Sequence, residues 1–463
     1  MRRGAMMGTY TVPVGDRGEF RAHVDFFSGR YTESGLLPQD EVRAGRLGAY
    51  SAEDPTQGGD TMRASASLAL TTRDRHGAVW HLDGYLVQSS DRIFTNHSLF
   101  LRDAEHGDQL EHDDARTTYG AHGYYRRGGI RIGVQARADD ANLGLWHDER
   151  RRRLDACFEV DNPCTLTAAH VRDLAVYAEA KRVVHGIAIE PGVRLDQLTW
   201  DDEDLDPETA TSTKSLTATA ARARISPKLG ITIPASRHVA VLLRGGGGFR
   251  SSDTRATAAT GAIRAIPRVW AGDAGVVISP DSHVRAAASA YASWQQEEVA
   301  WVPDAAQAVT VPASWRYGLE TRVDAHVVPW LALDASVSLA RRAGTVPTGL
   351  AAEVAPLFPA LIAKAGATAM RRGSFVTLRG LGLEERVGES AHENAVLVTV
   401  VAGHRWRSLE LDVQLDNLLN RSDDEIALPG AVRPSRVAGA MNDILATPVA
   451  PLTGFVTLGY VAR

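Results

Sequence analysis

Along much of this 463-residue chain apolar and polar side chains alternate at every second position. Leu409, Leu411, Val413 and Leu415 stand against Glu410, Asp412, Gln414 and Asp416. Tyr317, Leu319, Val323, Ala325 and Val327 stand against Glu320, Arg322, Asp324 and His326. The pattern returns in Leu331, Leu333, Val337 and Leu339, and again in Val284, Ala286, Ala288 and Ala290. Only an extended strand separates such sets, because its successive Cβ atoms point to opposite faces. The chain therefore reads as all-β. A soluble sandwich alternates in the same way, so the period alone leaves open whether protein or lipid covers the apolar side.

The connections decide between the two. Short turns are expected at 15–18, 73–77, 126–129, 179–182, 234–237, 280–282, 328–329, 371–373 and 403–405, where Gly, Pro, Asp and Arg cluster. Between them lie long connections, over about 28–60, 89–116, 138–170, 190–220, 245–271, 295–313, 341–355, 381–394 and 417–451. Short and long connections take turns, as in a transmembrane up-and-down barrel with tight turns on one side of the bilayer and long loops on the other. A Greek-key sandwich has no reason to sort its loops this way. Trp80, Trp330 and Trp406 fall beside short turns, where a membrane interface favours aromatic side chains.

Lipid offers no hydrogen-bond partners, so a spanning sheet pairs every edge by closing on itself. Nine short turns imply eighteen strands, and residues 452–461 add a nineteenth. That odd count starts the chain on the loop side, whereas bacterial single-chain barrels have even numbers of strands. A 22-stranded barrel without its first three strands has nineteen strands and nine turns. The expectation is thus an antiparallel transmembrane β-barrel with about 19 of 22 strands, truncated at its N-terminus. It forms one partial barrel domain over 1–463, with no plug domain.

Composition narrows the classes further. Hydrophobic residues at 44% and charged residues at 23% suit a folded chain. A net charge of -5 offers nucleic acid no basic surface. No run of 18 uncharged apolar residues exists; the nearest, 349–370, holds Glu353, Lys364, Pro356 and Pro359. The start, MRRGAMMGTYTVPVGDRGEF, has no apolar segment of the length an export signal needs. Cys157 and Cys164, close together in DACFEVDNPC, are a candidate disulfide in a long loop, with two free thiols as the alternative.

Several segments resemble the barrels of TonB-dependent outer-membrane receptors. They are DPTQGGDTMRASASLAL, HGDQLEHDDARTTYG, ISPKLGITIP with VAVLLRGGGGFRSSDTR, WRYGLETRVDAHVVPWLALDASVSLARR, and LELDVQLDNLLNRSDDE, whose Asn417-Leu418-Leu419-Asn420 matches an element closing the penultimate strand. The matches are degenerate but ordered along nearly the whole chain. The resemblance implies energised uptake of a scarce ligand such as a siderophore, metal chelate or cobalamin, in the outer membrane of a Gram-negative cell. Its partners would be outer-membrane lipid, the small-molecule ligand and the TonB complex. The sequence departs from the pattern in lacking a plug, a TonB box and a C-terminal aromatic residue, since it ends Gly459-Tyr460-Val461-Ala462-Arg463. A passive porin-like channel and a secreted β-rich binding protein are the alternatives.

Phe249, Arg250, Asp253 and Arg255, at a strand end in this reading, are the candidate ligand-binding residues, because a guanidinium pairs well with an anionic ligand. His106, Asp108, Glu111, His112, Asp113 and Asp114 have the donor types of a metal site, and Asp201, Asp202, Glu203, Asp204, Asp206 and Glu208 those of a Ca²⁺ loop. Solvated loops are the default for both, and the expectation is no metal and no cofactor. Arg150 to Arg153 suit lipopolysaccharide phosphates or a plain charged loop tip. Gly245 to Gly248 lack the Lys-Ser/Thr of a phosphate loop, and no catalytic constellation is present, so the chain is not read as an enzyme.

Overall fold

The structure, a computed structural model, describes residues 2–158, 160–161, 164–205, 218–251, 266–302, 307–345, 348, 359–387 and 391–460. Nineteen strands carry the fold. The first seven are β1 (Arg2–Val14), β2 (Gly18–Thr32), β3 (Gly58–Arg73), β4 (Val79–Thr95), β5 (Gln109–Arg127), β6 (Ile130–Glu149) and β7 (Thr165–Ala180). Then come β8 (Ile187–Asp204), β9 (Ala218–Pro234), β10 (Val239–Phe249), β11 (Arg268–Ile278), β12 (Val284–Gln295) and β13 (Ser314–Val328). The last six are β14 (Leu331–Gly344), β15 (Leu361–Arg371), β16 (Ser374–Val387), β17 (Ala391–Trp406), β18 (Leu409–Asp416) and β19 (Thr453–Tyr460).

Each strand pairs antiparallel with the next, without a break from β1 to β19. This is the nineteen-strand meander expected from the turns. Among the described residues no pairing joins β1 to β19, so these are the two edges of the curled sheet. Nine connections of two to six residues lie at one end and the long loops at the other, with one exception. Over 381–394, where a long connection was expected, β16 and β17 keep pairing up to Val387 and Ala391, so only three residues separate them. Two turns sit away from their expected places. Trp406 pairs with Leu409, so that turn is at 407–408 with Arg407 at φ 53°, and His185 and Gly186 (φ 50° and 83°) make the turn after β7.

The strands run further toward the long loops than the alternation suggested: β5 has 19 residues and β6 has 20. About 9–11 residues are enough to cross a bilayer, so these strands are longer than a membrane span requires. Toward the long loops neither face stays uniformly apolar, and the period-two signal fades. Within the band the outward face is apolar and open, as in Leu319, Val323 and Val327 on β13 and Leu333, Val337 and Leu339 on β14. Trp80, Trp330 and Trp406 are about half exposed near the short turns, with Trp80 packed against Tyr125 at 4.7 Å between ring centres. Trp270, Trp315 and Tyr317 repeat the aromatic placement at the other margin.

Buried apolar clusters lie on the long-loop side instead of in a central core. The last long loop forms a hairpin, Asp424–Val432 with Met441–Pro448, and its Leu445 and Ala446 pair with Pro38 and Leu37 of the first long loop. Leu99, Val432 and Leu445 close a small core there with Leu36, Phe100 and Met441. Segments from both ends of the chain thus meet above the two edge strands.

Candidate functional site

The concave face is the polar one. Arg131, Glu179, Lys228, Arg244, Asp273 and Tyr291 project from β6, β7, β9, β10, β11 and β12 into a cavity of about 1080 Å³. A second hollow of about 490 Å³ follows along the wall, sharing Arg244 and Asp273 and adding Arg285, Glu320, Arg322 and Lys364. Charges of both signs pair across the strands: Lys228 with Glu179 at 2.5 Å, Arg131 with Glu179 at 3.4 Å and Arg194 with Asp173 at 3.5 Å. Such a wall holds water and hydrophilic solutes.

At the long-loop end of β4 to β6 the polar groups are knitted together. Glu111, fully buried, accepts from Arg92 at 2.8 Å and from Arg153 at 2.8 and 3.0 Å, and Arg153 also reaches Asp113 at 2.7 Å. Burial alone would raise the Glu111 carboxyl, but the two guanidiniums outweigh it and hold it below its ordinary value. Asp148, equally buried beside it, moves the other way. Burial and then the charge of Glu111 push its carboxyl up to about 7. Gln109 ties Asp54, Thr56 and the Arg151 amide together, while the Arg151 guanidinium donates to the Thr56 and Gln57 carbonyls and lies over the Phe94 ring. Cys157 and Cys164 are disulfide-bonded alongside, their Cα atoms 5.1 Å apart.

These contacts redistribute the residues singled out from sequence. The arginine run divides: Arg151 and Arg153 are built into the platform, and Arg150 and Arg152 are exposed. The His/Asp/Glu run from 106 to 114 does not converge, because its residues serve different partners. Asp108 accepts from Ser98 and the Arg102 and Asp103 amides, His106 pairs with Asp103, and Glu111 and Asp113 hold arginines. Asp201 to Asp204 extend β8, and Asp206 and Glu208 lie outside the described residues. Gly245 to Gly248 are strand residues at the long-loop end of β10; a Cβ on Gly247 would come within 2.8 Å of the Trp270 ring, so the absent side chain makes room for an outward aromatic.

Of the four candidate ligand residues, Phe249 ends β10 and packs against the buried cluster of Leu198, Trp200 and Ile266. Arg250 is exposed next to it, its amide bonded to the Pro267 carbonyl, and Asp253 and Arg255 lie outside the described residues. A grouping not anticipated from sequence stands on the inner wall: His81 and Asp83 of β4 meet His122 of β5. Asp83 and His122 are 39 residues apart and become direct partners only through the β4–β5 register. The one local signal is the spacing of His81 and Asp83, which puts both on the same face of a strand.

Neither a family profile nor a curated protein sequence matches the chain. Solved structures do match in shape. The ferric citrate transporter FecA in its unliganded form aligns over 99% of this chain and 69% of its own, with a TM-score of 0.73 at 13% identity. The siderophore receptor PiuA from Acinetobacter baumannii aligns over 99% and 74%, with a TM-score of 0.73 at 11% identity. The ferric yersiniabactin uptake receptor FyuA from Yersinia pestis aligns over 99% and 71%, with a TM-score of 0.72 at 12% identity. At such identity the likeness speaks for architecture, and the chain has the β-barrel fold of TonB-dependent outer-membrane receptors.

Proposed function

We propose that the chain is the membrane-embedded barrel of an outer-membrane receptor that takes up a scarce hydrophilic ligand, with energy supplied through a TonB complex. The observation that carries the reading is the inside-out distribution of side chains. Apolar residues form an exposed outward band with aromatics at both margins, and the charged residues face inward. From Trp315 to Val327 on β13 is twelve residues. At ~3.3 Å each that is about 40 Å along the strand, or about 30 Å of height for a strand tilted by ~40°, close to the apolar band of outer-membrane barrels. An exposed band of that size is unfavourable in water and stable in hydrocarbon.

Ligand recognition is assigned to the long-loop side, where Arg250 is exposed just past the end of β10 and Arg92 and Arg153 hold the platform around Glu111 together. FecA, PiuA and FyuA are described as handling ferric citrate, siderophores and ferric yersiniabactin, which makes ferric chelates the first ligands to try. The test is reconstitution of the whole chain in vesicles, with tryptophan quenching by ferric citrate, a hydroxamate siderophore complex and cobalamin in turn. Saturable quenching by one of them, weakened by Arg250→Ala, is expected. Partition of the detergent-free chain into the aqueous phase overturns the membrane reading, and conductance without saturable binding points to a passive pore.

A further inference from the structure

We propose that His81, Asp83 and His122 bind a divalent transition-metal ion on the inner wall of the barrel, near its short-turn end. The site lies apart from the long loops and does not depend on which ligand they take. His81 and Asp83 stand two residues apart on β4, facing the lumen, and His122 is the register partner of Asp83 on β5. His81 Nε2 lies 2.8 Å and His122 Nδ1 3.0 Å from the same oxygen, Asp83 Oδ1. One ligand atom from each residue falls within 4.8 Å of the other two. Two ring nitrogens and a carboxylate converge on one point.

The second nitrogen of each ring is also held. His81 Nδ1 is 2.8 Å from Thr71 Oγ1, and His122 Nε2 is 2.8 Å from Tyr177 Oη. When an ion binds, each hydroxyl oxygen can accept the ring proton there, which frees the lone pair of the nitrogen beside Asp83 for the ion. That is the tautomer a metal ligand needs, oriented by an outer hydrogen bond in the manner usual for ligating histidines. Tyr124 stacks on His81 at 4.9 Å between ring centres and fixes its plane. Two cations stand nearby on the wall: Arg131 lies over the Tyr124 ring and is paired with Glu179, and Arg194 is paired with Asp196, which offsets their repulsion of a bound ion.

The donor set selects the ion class. Imidazole suits Zn²⁺, Co²⁺, Ni²⁺ and Cu²⁺, whereas Ca²⁺ and Mg²⁺ prefer oxygen donors throughout. All three side chains keep between a fifth and a third of their surface open to the lumen, so a water or a donor from a passing solute can complete the coordination. In the ion-free chain Asp83 serves as the shared hydrogen-bond acceptor of the two rings, and ion binding exchanges those hydrogen bonds for three coordinate bonds.

The test uses the whole chain, refolded in detergent and titrated with Co²⁺ by visible absorption and with Zn²⁺ by calorimetry. One ion per chain is expected. His81→Gln, His122→Gln and Asp83→Asn should each weaken binding at least roughly tenfold, and Tyr177→Phe by a smaller factor at unchanged stoichiometry. His23→Gln, which alters an inward histidine lying beside Asp25 with Thr9 on its other nitrogen, should bind like the parent. X-ray absorption of the zinc-loaded parent chain reads the ligands without any substitution, and two imidazoles are expected there. No stoichiometric ion, a coordination shell without imidazole, or unchanged affinity in folded His81→Gln and His122→Gln overturns the proposal.

Discussion

Single residues act here mainly through burial and charge at the long-loop end. Asp148 is 18 residues along β6 from the short-turn end, well past the length that spans a bilayer, and its carboxyl rises from its ordinary 3.8 to about 7. Between those values the folded chain binds a proton that the unfolded chain has lost. The stabilisation is therefore full below about pH 4 and disappears as pH rises through about 7. Amide exchange in residues 109–113 and 144–149 should accelerate from about pH 5 to pH 8 in the parent chain. In Asp148→Asn, whose amide stays neutral, the same exchange should lose that slope beyond the intrinsic one. Glu111 beside it does not behave alike: burial would raise its carboxyl, but Arg153 and Arg92 hold it below its ordinary value.

At the scale of the strand, the two faces have opposite tolerances. Val323 faces outward in the middle of β13, and Ser338 faces inward on β14, directly opposite Glu320. Val323→Arg should destabilise the protein in lipid by ~2–4 kcal/mol, the cost of a cation near the bilayer midplane. Ser338→Arg should cost less than about 1 kcal/mol, since the new guanidinium meets both water and a carboxylate. Urea titration of the chain folded into vesicles measures both. Equal effects at the two positions would mean that the outward band does not meet hydrocarbon. The alternation that sets this difference was readable in the sequence on β13, β14 and β18, yet the extra lengths of β5 and β6 were not. Beyond the outward apolar band no apolar face is present, so nothing in the residue order marks where pairing continues.

Across the whole molecule the notable contact joins the two ends of the sheet. The pairing of Leu37 and Pro38 with Ala446 and Leu445, the Asp40 amide on Asp443, and the core of Leu99, Val432 and Leu445 hold the first and last long loops together over β1 and β19. Ala446 is fully buried, so a proline ring there removes an N–H and adds bulk where there is no space. Ala446→Pro should cost this loop assembly about 3 kcal/mol and raise the rate of proteolysis within 33–57 severalfold. The strands below should retain their heat-modifiable mobility on gels. Parallel loss of both would show that the loop assembly and the barrel form one cooperative unit.

The residue order by itself determined the all-β class, the nineteen strands and the sorting of turns from loops everywhere but at 381–394, because a period of two and clusters of turn residues are local properties of a chain. It also brought Phe249 and Arg250 to a strand end. Only the tertiary structure decided which side chains meet. His122 reaches Asp83 through register, Arg151 ties loop carbonyls together, Arg153 reaches the buried Glu111 carboxylate, and Phe249 turns to a buried cluster. Register between strands depends on every turn and pairing before it, and a change of one residue sends each side chain to the opposite face. Hence contacts across strands are invisible in the sequence and fixed in the fold.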